Sequence, residues 1–170
     1  MNGQIVLQER LTHARQAWMP LRSLVIASLT WSLCGLAWSQ AAAGQPQQLP
    51  VIQLRAGMHL IQAEVARTPQ EHAIGLMWRK EMPTNHGMIF AFPKAGVQCF
   101  WMKNTLLPLS VAFIDDNGRV VNIDEMKPQT EDSHCSAEPV RFVLEMNSGW
   151  FQKRGIKAGS KIEGAPFDSR

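Results

Sequence analysis

The sequence predicts a mainly β protein: a single compact antiparallel sandwich or barrel-like domain with two short helices. Three observations predict it. Apolar residues recur at period two in short runs, as where Ile61, Ala63 and Val65 alternate with Gln62, Glu64 and Ala66, the spacing of a half-buried strand. Turn-forming residues break up these runs, most plainly at Asn117-Gly118. The helical stretches between the runs are too short for repeated βαβ crossovers, so antiparallel pairing suits the spacing.

The first element is a targeting segment. Leu24 to Ala37 is an uncharged apolar run of 14 residues, preceded by Arg10, Arg15 and Arg22 and followed by small and polar residues. That is the profile of a signal peptide over 1–41, with cleavage after Ser39 or Ala41. The run is shorter than the 18 or more residues that usually span a bilayer, so contact with a membrane is expected only through an uncleaved leader. Translation from Met19 would give a compact basic start, which makes Met19 an alternative true start. Cys34 follows Leu33 rather than a small residue, which argues against a lipid-modified cysteine.

Residues 42–50 are small, polar and proline-containing and read as a flexible linker, with the β domain over 51–166. A strand runs from Leu60. Thr68-Pro69-Gln70-Glu71 is a capping box that opens a short helix, with Ile74, Met77 and Trp78 on one face. Met88 to Phe92 is a strand that Pro93 ends. Cys99 to Met102 and Leu109 to Ile114 are two more, the latter leading through Asp115-Asp116-Asn117-Gly118 into Arg119 to Ile123. Asn117-Gly118 supplies the positive φ angles of a tight hairpin. A polar loop over 126–139 precedes the strand Arg141 to Met146. Ser148 caps a brief helix over Gly149 to Arg154, Gly155 stops it, and a last strand closes the chain.

Charge excludes one class of partner. Three of the 17 basic and one of the 14 acidic residues lie in the first 40, which leaves 14 against 13 for the remainder. A nearly neutral domain without a basic stripe lacks the phosphate contacts on which nucleic-acid binding depends. Two cysteines follow the leader, Cys99 and Cys135. In an exported, periplasmic or secreted, protein a disulfide between them is the economical reading, with two separate buried thiols as the alternative. It would also tie down the long loop.

The succession Gly75-Leu76-Met77-x-Arg79, Gly87-Met88-Ile89-Phe90, Phe100-Trp101-Met102-Lys103-Asn104-Thr105, Pro108-Leu109-x-Val111-x-Phe113-Ile114-Asp115, Val143-Leu144-Glu145 and Gly155-Ile156-x-x-Gly159 resembles the bacterial and archaeal DUF192 family over roughly Ile61 to Glu163. The resemblance implies a mainly β, often exported domain with no established activity. Two positions depart from the family pattern. Ser110 stands where an acidic residue is common, and Ser160 where aspartate commonly follows Gly159.

Within the most specific block, Lys103 and Asn104 have no evident packing role and fall where a strand runs into a loop. With Arg79 and Glu145 they could form a rim for a small polar or anionic ligand. The bland reading is a set of ion pairs, Lys103 with Asp115 or Glu145, and an Asn104 that caps its own turn. An envelope hydrolase or transferase using Glu145 or Asp115 with Lys103 is a second reading, and requires a recessed carboxylate of raised pKa. A third is a protein-interaction module of the cell envelope, with Trp150 and Phe151 in an exposed patch. No spacing nominates a metal or cofactor: Cys99, His134, Cys135 and the seven methionines after the leader form no ligand motif. His134 beside Cys135 is poor geometry for a catalytic dyad.

Overall fold

The computed structural model describes residues 44–167, so the expected signal peptide and the start of the linker lie outside the described residues. Val51–Ala56 (β1) and His59–Ala66 (β2) form an antiparallel hairpin around Gly57, whose φ of 59° suits a residue without a Cβ. The sequence reading placed no strand at 51–56. Only Leu54 and Ala56 of β1 are buried, so its alternation is too short to stand out.

The capping box forms as expected. Thr68 Oγ1 accepts from the Glu71 amide at 3.2 Å, and Glu71 Oε2 accepts from the Thr68 amide at 2.9 Å. The helix it opens, Pro69–Ile74 (α1), is shorter than the apolar spacing predicts. Gly75 ends it at φ 51°, so Leu76 is the buried residue, while Ile74, Met77 and Trp78 are half-buried.

From α1 the chain enters His86–Gly96 (β3), which lies parallel to β2. The sheet is therefore mixed, because a crossover helix returns the chain in the same direction. Pro93 does not end β3. It falls where the register shifts between Ala91 and Gly96, and such a bulge does not require its missing N–H.

Cys99–Phe100 (β4) pairs with His134–Cys135 (β7) as a separate two-stranded ribbon. Leu109–Ile114 (β5), Val120–Met126 (β6) and Val140–Asn147 (β8) complete the main sheet with Ile162–Glu163 (β9). The order is β6-β5-β8-β3-β2-β1-β9. The β5–β6 turn is built differently from the expected two-residue turn: of Asn117 and Gly118 only Gly118 has positive φ, at 80°. Asp115 organises the turn, its Oδ1 accepting from the Asn117 and Arg119 amides at 2.9 Å each.

The two ends of the sheet meet. The Val120 amide donates to the Ser160 carbonyl at 2.8 Å, Gly159 to Val120 at 2.8 Å and Ile162 to Gly118 at 2.7 Å. This seam curls the sheet into a half-barrel. It also explains Gly118, where a Cβ would collide with the Ile162 carbonyl.

Alternation then sorts the side chains. Residues from every strand of the main sheet, among them Leu54, Ile61, Ile89, Ala112, Val120, Leu144 and Ile162, fill the inside of the curl with Trp150, Phe151 and Phe167. Met88, Phe90, Val111, Phe113 and Val143 point the other way and are covered by Leu76 and Met102. The second expected helix is only a 3-10 turn over Gln152–Arg154, stopped by Gly155 at φ 67°. Ser148 does not cap it, and instead donates to Glu125 Oε2 at 2.7 Å.

Residues 47–50, expected within the flexible linker, are hydrogen-bonded to the domain. Gln47 donates to the Glu71 and Gly75 carbonyls at 2.9 and 3.0 Å, and the Val65 amide donates to Pro50. The Gln47 side chain thus gives the Glu71 carbonyl a second donor beside the Gly75 amide, and gives the Gly75 carbonyl, just past the end of α1, a donor of its own.

Candidate functional site

The segment after β4 forms a roof over the outer face of the sheet. Its ends are tied down. Cys99 and Cys135 are bridged directly across the β4–β7 pair, the Met102 amide donates to Thr130 at 2.9 Å, and the Gln129 amide donates to Thr105 at 3.1 Å. On its inner side Phe100 meets Phe90 edge-to-face at 4.8 Å and Met102 is fully buried.

Beneath this roof is a recess of about 40 Å³. Phe90, Phe100, Trp101, Thr105 and His72 line it, together with Glu145. Glu145 stands on β8 opposite Met88 of β3 and Val111 of β5, neither of which can partner a carboxyl group. It is 4% exposed, and burial alone pushes its pKa up to about 8. Near neutral pH it is mostly the protonated, hydrogen-bond-donating acid. The space suffices for a water molecule or a small ligand group.

The other sequence-predicted residues are placed differently. Lys103 is half exposed, its Nζ 3.5 Å from Glu131 Oε1 and 5.1 Å from the Trp101 ring centre. Its ion-pair partner is thus Glu131, and neither Asp115 nor Glu145. Asp115 is occupied by its turn and by Arg119, 3.0 Å away. Asn104 has φ 56° and its carbonyl accepts from the Trp78 amide at 2.9 Å.

Arg79 grips Glu64 through two bonds of 2.6 and 2.7 Å and donates to the Gln47 carbonyl at 2.7 Å. The four residues therefore do not present four free groups. The loop bearing Lys103 and Asn104 covers Glu145, while the two cations face other carboxylates.

Three details bear on the rival readings. Trp150 and Phe151 are 2% and 0% exposed, so they offer no surface patch. Buried Ser110 donates to Glu125 Oε1 at 2.5 Å across the β5–β6 pair, so a neighbouring strand supplies a carboxylate where this chain lacks one. Among the described residues, no group of three or more His, Cys, Asp or Glu side chains is arranged to hold a metal ion. His72 and Thr105 were missed as lining residues, because nothing in the spacing around either marks it out. The capping box that starts α1 is the signal that orients His72, whose Nε2 lies 3.1 Å from the Ala66 carbonyl.

Comparison with known proteins agrees with this fold. The model of the family DUF192, Uncharacterized ACR, matches residues 51–164. A proposed transcription regulator from Sinorhizobium meliloti 1021 is similar at 37% identity, with 66% of this chain and 91% of that one covered and a TM-score of 0.63. A protein of unknown function from Novosphingobium aromaticivorans DSM 12444 is similar at 36% identity, with 73% and 94% covered and a TM-score of 0.66. Among curated proteins nothing matches significantly.

Proposed function

The chain belongs to the DUF192 family, and on that premise we propose that it is an exported, non-enzymatic binding domain that takes a small polar ligand beneath the Trp101 to Thr105 loop. The observation that carries this reading is Glu145, a buried acid without a charged partner that lines a recess under that loop. Burying a carboxyl group in an apolar cluster costs stability, and a neutral acid at the floor of a recess is a donor for a ligand hydroxyl or carbonyl. Lys103 and Asn104 lie in that loop between Trp101 and Thr105, which line the recess.

An anionic ligand is less well served, because Arg79 and Lys103 already face Glu64 and Glu131. The description of one relative as a transcription regulator raises nucleic acid as a partner, but the nearly balanced charge after the leader does not favour it. Export is supported by the Cys99–Cys135 bridge, a bond that persists in oxidising compartments.

The experiment is a thermal-shift screen of the oxidised protein against metabolites, sugars and nucleotides. A ligand at about 100 times its Kd should add about 2.7 kcal/mol, a rise of several degrees. Glu145→Gln should abolish that rise without lowering the unliganded midpoint. A rise retained in the Glu145→Gln variant would place the ligand elsewhere.

Acid catalysis by Glu145 is the second reading, favoured by the same raised pKa. It predicts turnover of a ligand found in the screen, lost in Glu145→Gln, with a pH profile that falls above about 8.

A further inference from the structure

The walls of the recess carry more information than its floor. Phe90, Phe100 and Trp101 contribute aromatic rings to the lining, the stretch from Ala73 to Met77 adds non-aromatic surface, and the titratable lining residues are Glu145 and His72. Aromatic faces attract cations through their quadrupole, most strongly where water is excluded. The Trp101 ring already has an ammonium beside it in this chain, the Lys103 Nζ at 5.1 Å.

Resting on the reading above, we propose that the group this recess takes is an organic ammonium, with the Glu145 carboxylate as its counter-ion and the rings of Phe90, Phe100 and Trp101 as its walls. Beside the buried acid the lining offers a hydroxyl, an imidazole turned to the Ala66 carbonyl and apolar surface, and the nearby cations Arg79 and Lys103 face Glu64 and Glu131, so an anion would meet no free positive charge. A neutral hydroxyl would make one hydrogen bond and leave the rings unused. An ammonium uses both, and supplies the positive charge that the site lacks.

The proton balance follows. Free Glu145 holds its proton up to a pH of about 8. When R–NH3⁺ enters, that proton leaves to solvent and the carboxylate faces the cation. No other charge on the surrounding elements competes. From α1 the facing group is His72, whose Nε2 is turned to the Ala66 carbonyl. Beside Glu145, β3 and β5 present Met88 and Val111, and in the roof Lys103 faces Glu131 on the solvent side while Arg79 is bound to Glu64.

The test is calorimetric titration of the full, oxidised protein with n-butylammonium and with its neutral counterpart 1-butanol between pH 6 and 9. For n-butylammonium, affinity should rise about tenfold per pH unit from 6 towards 8 and then level, with close to one proton released per ligand at the low end. Glu145→Gln, shown to be folded by its melting curve, should lose both the binding and the proton release. Trp101→Leu, at a half-exposed position, should weaken binding several-fold without altering the pH trend.

Equal or tighter binding of 1-butanol, with affinity falling above pH 8, would overturn the ammonium inference and leave the polar-ligand reading standing. Binding of neither probe would also overturn it. The broader reading falls separately, if the metabolite screen returns no shift that depends on Glu145.

Discussion

The Trp78 amide donates to the Asn104 carbonyl at 2.9 Å, and both residues lie in the left-handed region, at φ 61° and 56°. The bond joins the end of the α1 segment to the roof over Glu145. A left-handed backbone is unfavourable for a tryptophan and tolerable for an asparagine. Two such residues bonded to each other, one of them in the roof, are the kind of local strain that surrounding structure must maintain.

This relationship predicts how Asn104 responds to substitution. Asn104→Gly removes the side chain but keeps the backbone at ease, and should leave the melting midpoint within about a degree. Asn104→Ala should cost about 1 kcal/mol, because alanine resists positive φ. Urea unfolding of both variants checks the difference. Equal destabilisation by the two would mean that the Asn104 side chain itself holds the loop.

Glu145 predicts a pH dependence of a definite sign. Its folded pKa of about 8 lies above the ordinary 4.5, so between those values the folded chain keeps a proton that the unfolded chain releases. Stability should therefore fall as pH rises from about 4.5 to about 8 and level off beyond. The total change is of the order of 3 to 5 kcal/mol from this group. Glu145→Gln should flatten that part of the profile, as denaturant unfolding from pH 5 to 9 would show. A wild-type profile that rises across this range would contradict the assignment.

Arg79 is predicted to act on stability. Its side chain and that of Glu64 are each 15% exposed, and its guanidinium also binds the Gln47 carbonyl. Arg79→Ala leaves Glu64 with only the Leu49 amide, 2.8 Å away, and should cost about 2 to 4 kcal/mol. Adding Glu64→Gln should recover part of that loss, since the stranded charge is then gone. Thermal melts of the two single variants and the double variant measure the coupling.

How much of this was legible beforehand depends on the residue. The Thr68 capping box, the β5 boundaries and the Cys99–Cys135 bridge follow from local chemistry and loop length, and they form as read. The parallel β2–β3 pair was not legible, because six helical residues give no periodic signal of a crossover. The seam between Gly118 and Ile162 depends on how far the sheet curls, which no local pattern encodes. Of the site, Glu145 could be singled out as an acid in an apolar strand. That Lys103 would face Glu131 instead could not be read, because the two lie 28 positions apart on separate loops.

The disulfide ties these threads together. Cys99 and Cys135 stand 36 positions apart in sequence, and in the chain-entropy model closing such a loop stabilises by about 3 to 4 kcal/mol. A paired Cys99→Ala and Cys135→Ala variant should lose about that much in denaturant unfolding. It should also lose something local. The ribbon the bridge closes has only two residue pairs, and it anchors the roof segment that runs from Phe100 to Thr105 above Glu145. Without the bridge, water gains access to the recess and the desolvation that raises the Glu145 pKa is reduced. The fall in stability between pH 4.5 and 8 should then become shallower than in the wild type. A variant with the full global loss but an unchanged pH slope would show that the roof stays closed through Met102, Thr105 and their bonds to the opposite loop alone.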